Sequence, residues 1–388
     1  MQTSRERILV SHAGSLPRPA ALREMLEAKN AGQPYDKDAF DRTIREAVAE
    51  AVRRQVEVGM DIVNDGELSK LSFTWYGRER LSGLAQRDPA AAPAGQHGRI
   101  YGRDAIDFPE YFAGRDNLRG REAVCVGPLG YIGREAVQAD IANLKAALEG
   151  VRGRYVDAFL PAVAPGTIEH WLTNEHYETE DEHLDAIADA MREEYRAIVD
   201  AGFILQIDDP DLGDGWQVHA DMSVEQYHRF ADRRIEALNY ALRGLPEERI
   251  RFHICWGSYH GPHKHDIPLR AIIDLVLKVR AQVYSIEAAT PAHEHEWKVF
   301  RAVRLPEGKA LMPGVVGHCS DFVEHPRLIA DRLIKYAGLV GKENVIAGTD
   351  CGIPPRVGHP SVGWAKFEAM AEGARIASRE LWPTGVGA

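Results

Sequence analysis

Apolar residues along this chain follow two alternating rhythms. Short runs dense in Val, Ile, Leu and Phe give way to longer stretches in which apolar side chains recur every three or four positions. The short runs predict strands near 8–13, 61–65, 123–127, 157–162, 203–207, 250–255, 283–287, 311–316 and 345–349. The longer ones predict helices over 36–58, 138–148, 182–201, 224–242, 269–279, 326–339 and 364–380. Two junctions, Val56-Glu57-Val58-Gly59-Met60 and Val199-Asp200-Ala201-Gly202-Phe203, read as helix, glycine cap and strand. Strand and helix in steady alternation point to an α/β fold with a parallel sheet.

A (β/α)8 TIM barrel uses eight strands. Nine are predicted here, so one is peripheral, and periodicity does not say which. Two stretches break the rhythm. Residues 82–98, rich in Gly, Pro and Ala, hold neither a helix nor a central strand and read as part of an exposed insertion near 70–120. Residues 256–268 form a second irregular stretch with His260, His263 and His265, read as a solvated loop rather than a second metal site. No repeat or linker divides the chain, so 1–388 reads as a single domain.

Composition narrows the partners. With 388 residues, 45% hydrophobic and 27% charged, the chain can bury a large core. A formal net charge of -11 argues against nucleic acid and against a polybasic membrane contact, and favours a small-molecule partner in the cytoplasm. A homo-oligomer is compatible with all of this. Four cysteines, Cys125, Cys255, Cys319 and Cys351, are too scattered for a disulfide framework. Cys125 and Cys319 read as small buried residues.

The other two cysteines stand where chemistry gathers. In Ile250-Arg251-Phe252-His253-Ile254-Cys255, side chains alternate faces, so His253 and Cys255 point the same way. Glu287 and Cys351 close two later strands. One imidazole, two thiolates and a carboxylate form a ligand set suited to zinc, and they converge where barrels of this kind keep their active sites. More polar groups crowd the same strand ends: Ser15 after the first strand, Glu67 after the second, Asp208 after the fifth, His318 after the eighth. Carboxylates there can hold a substrate ammonium group or carry protons.

Taken together, Gly14-Ser15-Leu16-Pro17, Asp65-Gly66-Glu67, Ile207-Asp208-Asp209-Pro210, His253-Ile254-Cys255, Ile286-Glu287 and Asp350-Cys351-Gly352 make the chain resemble the cobalamin-independent methionine synthase superfamily, in its catalytic C-terminal barrel. The stretches Cys255-Trp256-Gly257 through Asp266-Ile267-Pro268, and His293-Glu294-His295-Glu296-Trp297, look like its short single-barrel branch, which includes the epoxyalkane:coenzyme M transferases.

The resemblance implies a barrel of the methionine synthase and uroporphyrinogen decarboxylase type, with Zn2+ held by His253, Cys255, Glu287 and Cys351. It also implies substrate contacts at Ser15, Glu67 and Asp208, a tryptophan packing on folate at Trp171, and a catalytic histidine near His318, which stands one position off the family's. The implied chemistry is S-alkyl transfer. A substrate thiol is activated on zinc, with Glu287 expected to be the ligand that loosens, and attacks an alkyl donor, of which 5-methyltetrahydrofolate is one candidate. His318 or Asp208 then protonates the leaving group. Three readings follow: a methionine-synthase-like methyltransferase acting on homocysteine or a related thiol, an epoxide:coenzyme M transferase with Arg18, Lys70 or Arg78 meeting the sulfonate, and a non-catalytic zinc-binding protein.

Overall fold

A computed structural model of the chain describes residues 1–87, 102–113, 122–353 and 356–383. Eleven strands are found among them: β1 (Leu9–Val10), β2 (Ile62–Asn64), β3 (Leu84–Arg87), β4 (Glu122–Cys125), β5 (Asp157–Val163), β6 (Leu172–Asn174), β7 (Ile204–Asp208), β8 (Ile250–Ile254), β9 (Val283–Ile286), β10 (Ala310–Val316) and β11 (Ile346–Thr349). Eight of them form one parallel sheet in the order β1-β11-β10-β9-β8-β7-β5-β2. Its two ends meet: Asp61 N–H donates to Val10 C=O at 2.9 Å, and Ser11 Oγ donates to Ile62 C=O at 3.1 Å. The result is the expected α/β barrel.

The ninth predicted strand is β4. It lies outside the barrel in a small sheet, antiparallel to β3 and parallel to β6. β3 occupies an edge of that sheet, inside the stretch read from sequence as devoid of central strands; residues 88–98 of that stretch lie outside the described residues. All seven predicted helices form, with one correction. Residues 269–279 break into a 3-10 turn, Leu269–Ala271, and a short helix, Ile273–Lys278. Helices at Ala20–Asn30, Phe73–Glu79, Pro165–His170 and Asp211–Val218 were not anticipated. The last two leave the ends of β5 and β7 and build the barrel rim. Gly59 and Gly202, at φ 97° and 92°, adopt the left-handed conformation expected of helix-ending glycines.

Alternation along the strands sorts side chains into two cores. Outward-facing residues pack under the helices, whereas Leu9, Ile62, Phe159, Ile204, Val283, Ala310, Met312 and Ile346 form a separate apolar cluster inside the barrel. Toward the C-terminal mouth the interior turns polar. Asn64, Gln206, Asp208, Arg251, His253, Ser285 and Glu287 are all buried there. Buried polar groups must be hydrogen-bonded or hold a ligand, so the question at the mouth is which of these lack a partner.

Candidate metal centre and its rim

β8 carries Arg251 and His253 on its inner face, and Cys255 follows in the same phase just beyond the strand. Arg251, fully buried, donates to Ser11 Oγ at 2.9 Å and to His12 C=O at 3.3 Å, and its guanidinium lies 3.9 Å from the Phe159 ring centre. It therefore ties β8 to the segment after β1, across the barrel. His253 sits one layer higher. Its Nδ1 is 2.9 Å from Ser285 Oγ, supplied by the residue paired with it on β9. Its Nε2 is buried with no hydrogen-bond partner.

The orphaned nitrogen faces sulfur. Ligand atoms of His253, Cys255 and Cys351 lie within 4.8 Å of one another, and neither cysteine is in a disulfide. The Cys255 thiol directed at Cys351, with His253 and His318 nearby, holds Cys351 well below the ordinary thiol range, and Cys255 is correspondingly pushed up. Two sulfurs, one already disposed to be a thiolate, and an imidazole oriented through its other nitrogen fit zinc chemically.

Glu287 falls into a second, adjoining group. Its carboxylate accepts from Trp256 N–H at 3.0 Å and Thr290 Oγ at 2.9 Å, and it lies within 4.8 Å of ligand atoms of His318 and Asp350. Both ring nitrogens of His318 and Oδ2 of Asp350 are buried without partners. Asp350 Oδ1 accepts from Ala288 and Ala289 N–H, each at 2.7 Å, which fixes the turn after β9. So the four predicted ligands divide three and one, with the carboxylate beside the predicted acid.

The rim carboxylates are buried and electrostatically linked to the cysteines. Asp208, which accepts from Gln206 Nε2 at 2.6 Å, is pushed up to about 8, first by burial, with His253 opposing and Glu67 and Cys351 reinforcing. Glu67 is pushed up to about 7 by burial, against the pull of Lys70 and Arg18. Its φ of 56° is unusual for a non-glycine residue, and the turn is pinned by Glu67 N–H donating to Asp65 Oδ1 at 3.0 Å. Gly14 leaves room for it: a Cβ there would stand 2.5 Å from Glu67 Oε1. Ser15 packs against Gly352, beside Cys351, where an added Cβ would meet its own Cβ at 2.8 Å.

Other predicted residues take quieter places. Trp171 is half-buried after the helix Pro165–His170, with its ring 5.0 Å from that of His170. Arg18 donates to Glu67 C=O at 3.0 Å, Lys70 to Pro161 C=O at 3.2 Å and Arg78 to Trp171 C=O at 2.9 Å. Cys125 is buried as expected, whereas Cys319 is only partly so, with its Sγ 3.6 Å from Tyr259 C=O. Of the loop histidines, His260 is exposed as expected. His263 corrects the solvated-loop reading, because Asp266 lies 2.8 Å from its Nδ1 and draws the ring inward. Sequence reasoning gave no role to Ser285, Thr290, Trp256 or Asp350. Alternation on β9 places Ser285 in phase with Glu287, which was the available signal.

Barrel and mouth together define a protein of the TIM-barrel class with a thiol-rich candidate metal site at the C-terminal ends of its strands. Residues 162–375, more than half of the chain, match the family model described as cobalamin-independent synthase, catalytic domain; the chain belongs to that family. Among similar proteins, the methionine synthase of Saccharolobus solfataricus is 24% identical over 95% of this chain and 94% of its own length. That of Thermococcus kodakarensis is 23% identical over 95% and 93%. Among solved structures, a B12-independent methionine synthase from a Shewanella species, in complex with selenomethionine, superposes with a TM-score of 0.72 at 21% identity, covering 97% of this chain and 99% of that one. A putative vitamin-B12-independent methionine synthase from Listeria monocytogenes gives 0.65 at 16%, over 97% and 98%. These two likenesses speak to the fold.

Proposed function

We propose that the protein is a zinc-dependent S-alkyltransferase, a methionine-synthase-like methyltransferase that moves a methyl group from a donor such as 5-methyltetrahydrofolate to homocysteine or a related small thiol. The observation that carries this is the buried trio His253, Cys255 and Cys351, whose ligand atoms converge within 4.8 Å around an unpartnered imidazole nitrogen at the barrel mouth. Family membership and the names of the full-length relatives support the same reading.

Zinc held there by the trio, with Glu287 as the fourth ligand, would act as a Lewis acid that makes a bound thiol nucleophilic at neutral pH, where a free thiol of pKa about 8.5 is mostly protonated. The chain's own residues do the rest. Glu67 and Asp208 hold the ammonium group of the acceptor, and Ser15 orients it beside Cys351. An amino-acid thiol would bring an ammonium group to these two buried carboxylates and coenzyme M would not, which favours the amino-acid thiol. Trp171 offers a flat face to the donor. His318, with two free ring nitrogens next to Cys351, delivers the proton that the leaving nitrogen needs, with Asp208 as the second candidate.

Single-turnover transfer with pre-bound thiol tests this assignment. His318→Asn is expected to slow methyl transfer roughly 10²–10⁴-fold while thiol binding survives. Transfer at the wild-type rate would make His318 structural and move the acid to Asp208.

A further inference from the structure

Behind the trio lies a cluster of charges that the proposed chemistry does not use. His293 is buried. Its Nδ1 is 2.9 Å from Glu296 Oε2 and its Nε2 is 3.0 Å from Asp266 Oδ2. A neutral imidazole can donate from only one nitrogen. With a carboxylate at each end, both nitrogens are asked to donate. Asp266 also takes His263 Nδ1 at 2.8 Å and, through Oδ1, Gln217 Nε2 at 2.9 Å. The His293 ring is stacked on Trp256, with centroids 3.9 Å apart and planes at 19°. Trp256 directly follows Cys255, its indole N–H donates to Ile267 C=O at 2.7 Å, and its backbone N–H donates to Glu287 Oε2.

We infer that His293 is a positioning residue: as an imidazolium clamped between Asp266 and Glu296 and stacked on Trp256, it fixes the loop after β8 against the loop after β9 and so aims Trp256 N–H at Glu287. Asp266 belongs to the first of these loops; His293, Glu296 and Glu287 belong to the second. Glu296 completes the staple by accepting from Leu269 N–H through Oε1 at 2.6 Å. An imidazolium face on an indole adds a cation–π attraction to the stacking. The carboxylates facing His293 agree in sign, while His263 shares Asp266 Oδ2 with it. Burial alone favours the neutral ring, but Asp266, Glu296 and the charge of Glu287 outweigh it and push His293 up to about 10, and His263 follows to about 9. The inference rests on Glu287 being a residue of the proposed site, but its first two tests do not involve metal.

Nitrogen-15 NMR of histidine-labelled full-length protein, with His293 assigned through His293→Gln, is expected to show a doubly protonated ring at pH 8.5, where an ordinary histidine of pKa about 6.5 is neutral. Amide exchange at Trp256 should accelerate roughly tenfold or more in His293→Gln, because a protected N–H loses the partner that holds it. His293→Arg, which is planar, cationic and able to donate to both carboxylates, should restore protection. If metal binds as proposed, His293→Gln should weaken it roughly 10–100-fold, and His293→Arg should recover it. A neutral His293 at pH 8.5, or unchanged Trp256 exchange in the Gln variant, would overturn the inference. Wild-type protein without metal would instead count against the proposed function, and the NMR and exchange results would still decide the role of His293.

Discussion

Glu67 and Asp208 are the residues at which burial and function pull hardest against each other. Each is a carboxylate whose surroundings favour the neutral acid, and each is assigned to a cationic partner that needs the anion. The sign of the resulting pH dependence follows. Below about 7 Glu67 is protonated and attracts an ammonium group weakly, and above it the carboxylate is available. The affinity for an amine-bearing thiol, divided by that for a thiol of similar size without an amine, is therefore expected to rise between pH 6 and 8. Dividing removes the part due to the thiol proton. Titration calorimetry should find the rise flattened in Glu67→Gln, with Asp208→Asn weakening only the amine-bearing thiol; a ratio independent of pH in the native protein would remove the ammonium role. These residues were legible from sequence because they end strands, and strand ends meet at one face. What alternation could not give was the split of Glu287 from the trio, which depends on how the turn after β9 is held by Asp350.

That turn shows how single elements set the site. Gly314 on β10 has no side chain where a Cβ would lie 1.9 Å from Asp350 Oδ1. Gly314→Ala should force Asp350 off the Ala288 and Ala289 amides at a cost of about 1–3 kcal/mol, measurable by urea denaturation; an unchanged midpoint would contradict the packing described here. The segment after β1 depends on His12 in a similar way. His12 Nε2 lies 2.8 Å from Gln55 Oε1 and its Nδ1 accepts from Gly14 N–H at 3.2 Å, which fixes a neutral ring. Burial lowers His12 to about 4. The unfolded chain binds this proton near the ordinary value of about 6.5, so the contribution of His12 to stability is whole above that pH and is lost as pH falls toward 4. Thermal melts between pH 6.5 and 4.5 should decline less steeply in His12→Gln than in the native protein; equal slopes would show that His12 is not the group responsible. Elements with a clear period were readable: all nine strands, and helices such as 36–58. Short helices such as Pro165–His170 and Asp211–Val218 span only one or two turns, too few for a period, and their residues are buried by the rim they build rather than by an apolar stripe.

At the scale of the whole molecule, the barrel separates stability from chemistry along its axis. An apolar plug from Leu9 to Ile346 fills the bottom, Arg251 and Gln206 cross the middle, and the sulfur and carboxylate groups crowd the mouth. Sequence rhythm could count nine strands but not exclude one, because β4 has the same apolar density as a barrel strand and differs only in what it pairs with. No helix among the described residues is long and apolar enough to cross a membrane. The proposed chemistry depends on the metal. Elemental analysis of purified protein is expected to find about one zinc per chain, and Cys255→Ala and Cys351→Ala are each expected to lose it while keeping the folded circular dichroism spectrum. Full zinc occupancy in either variant, or native protein that takes up none when supplied, would contradict it.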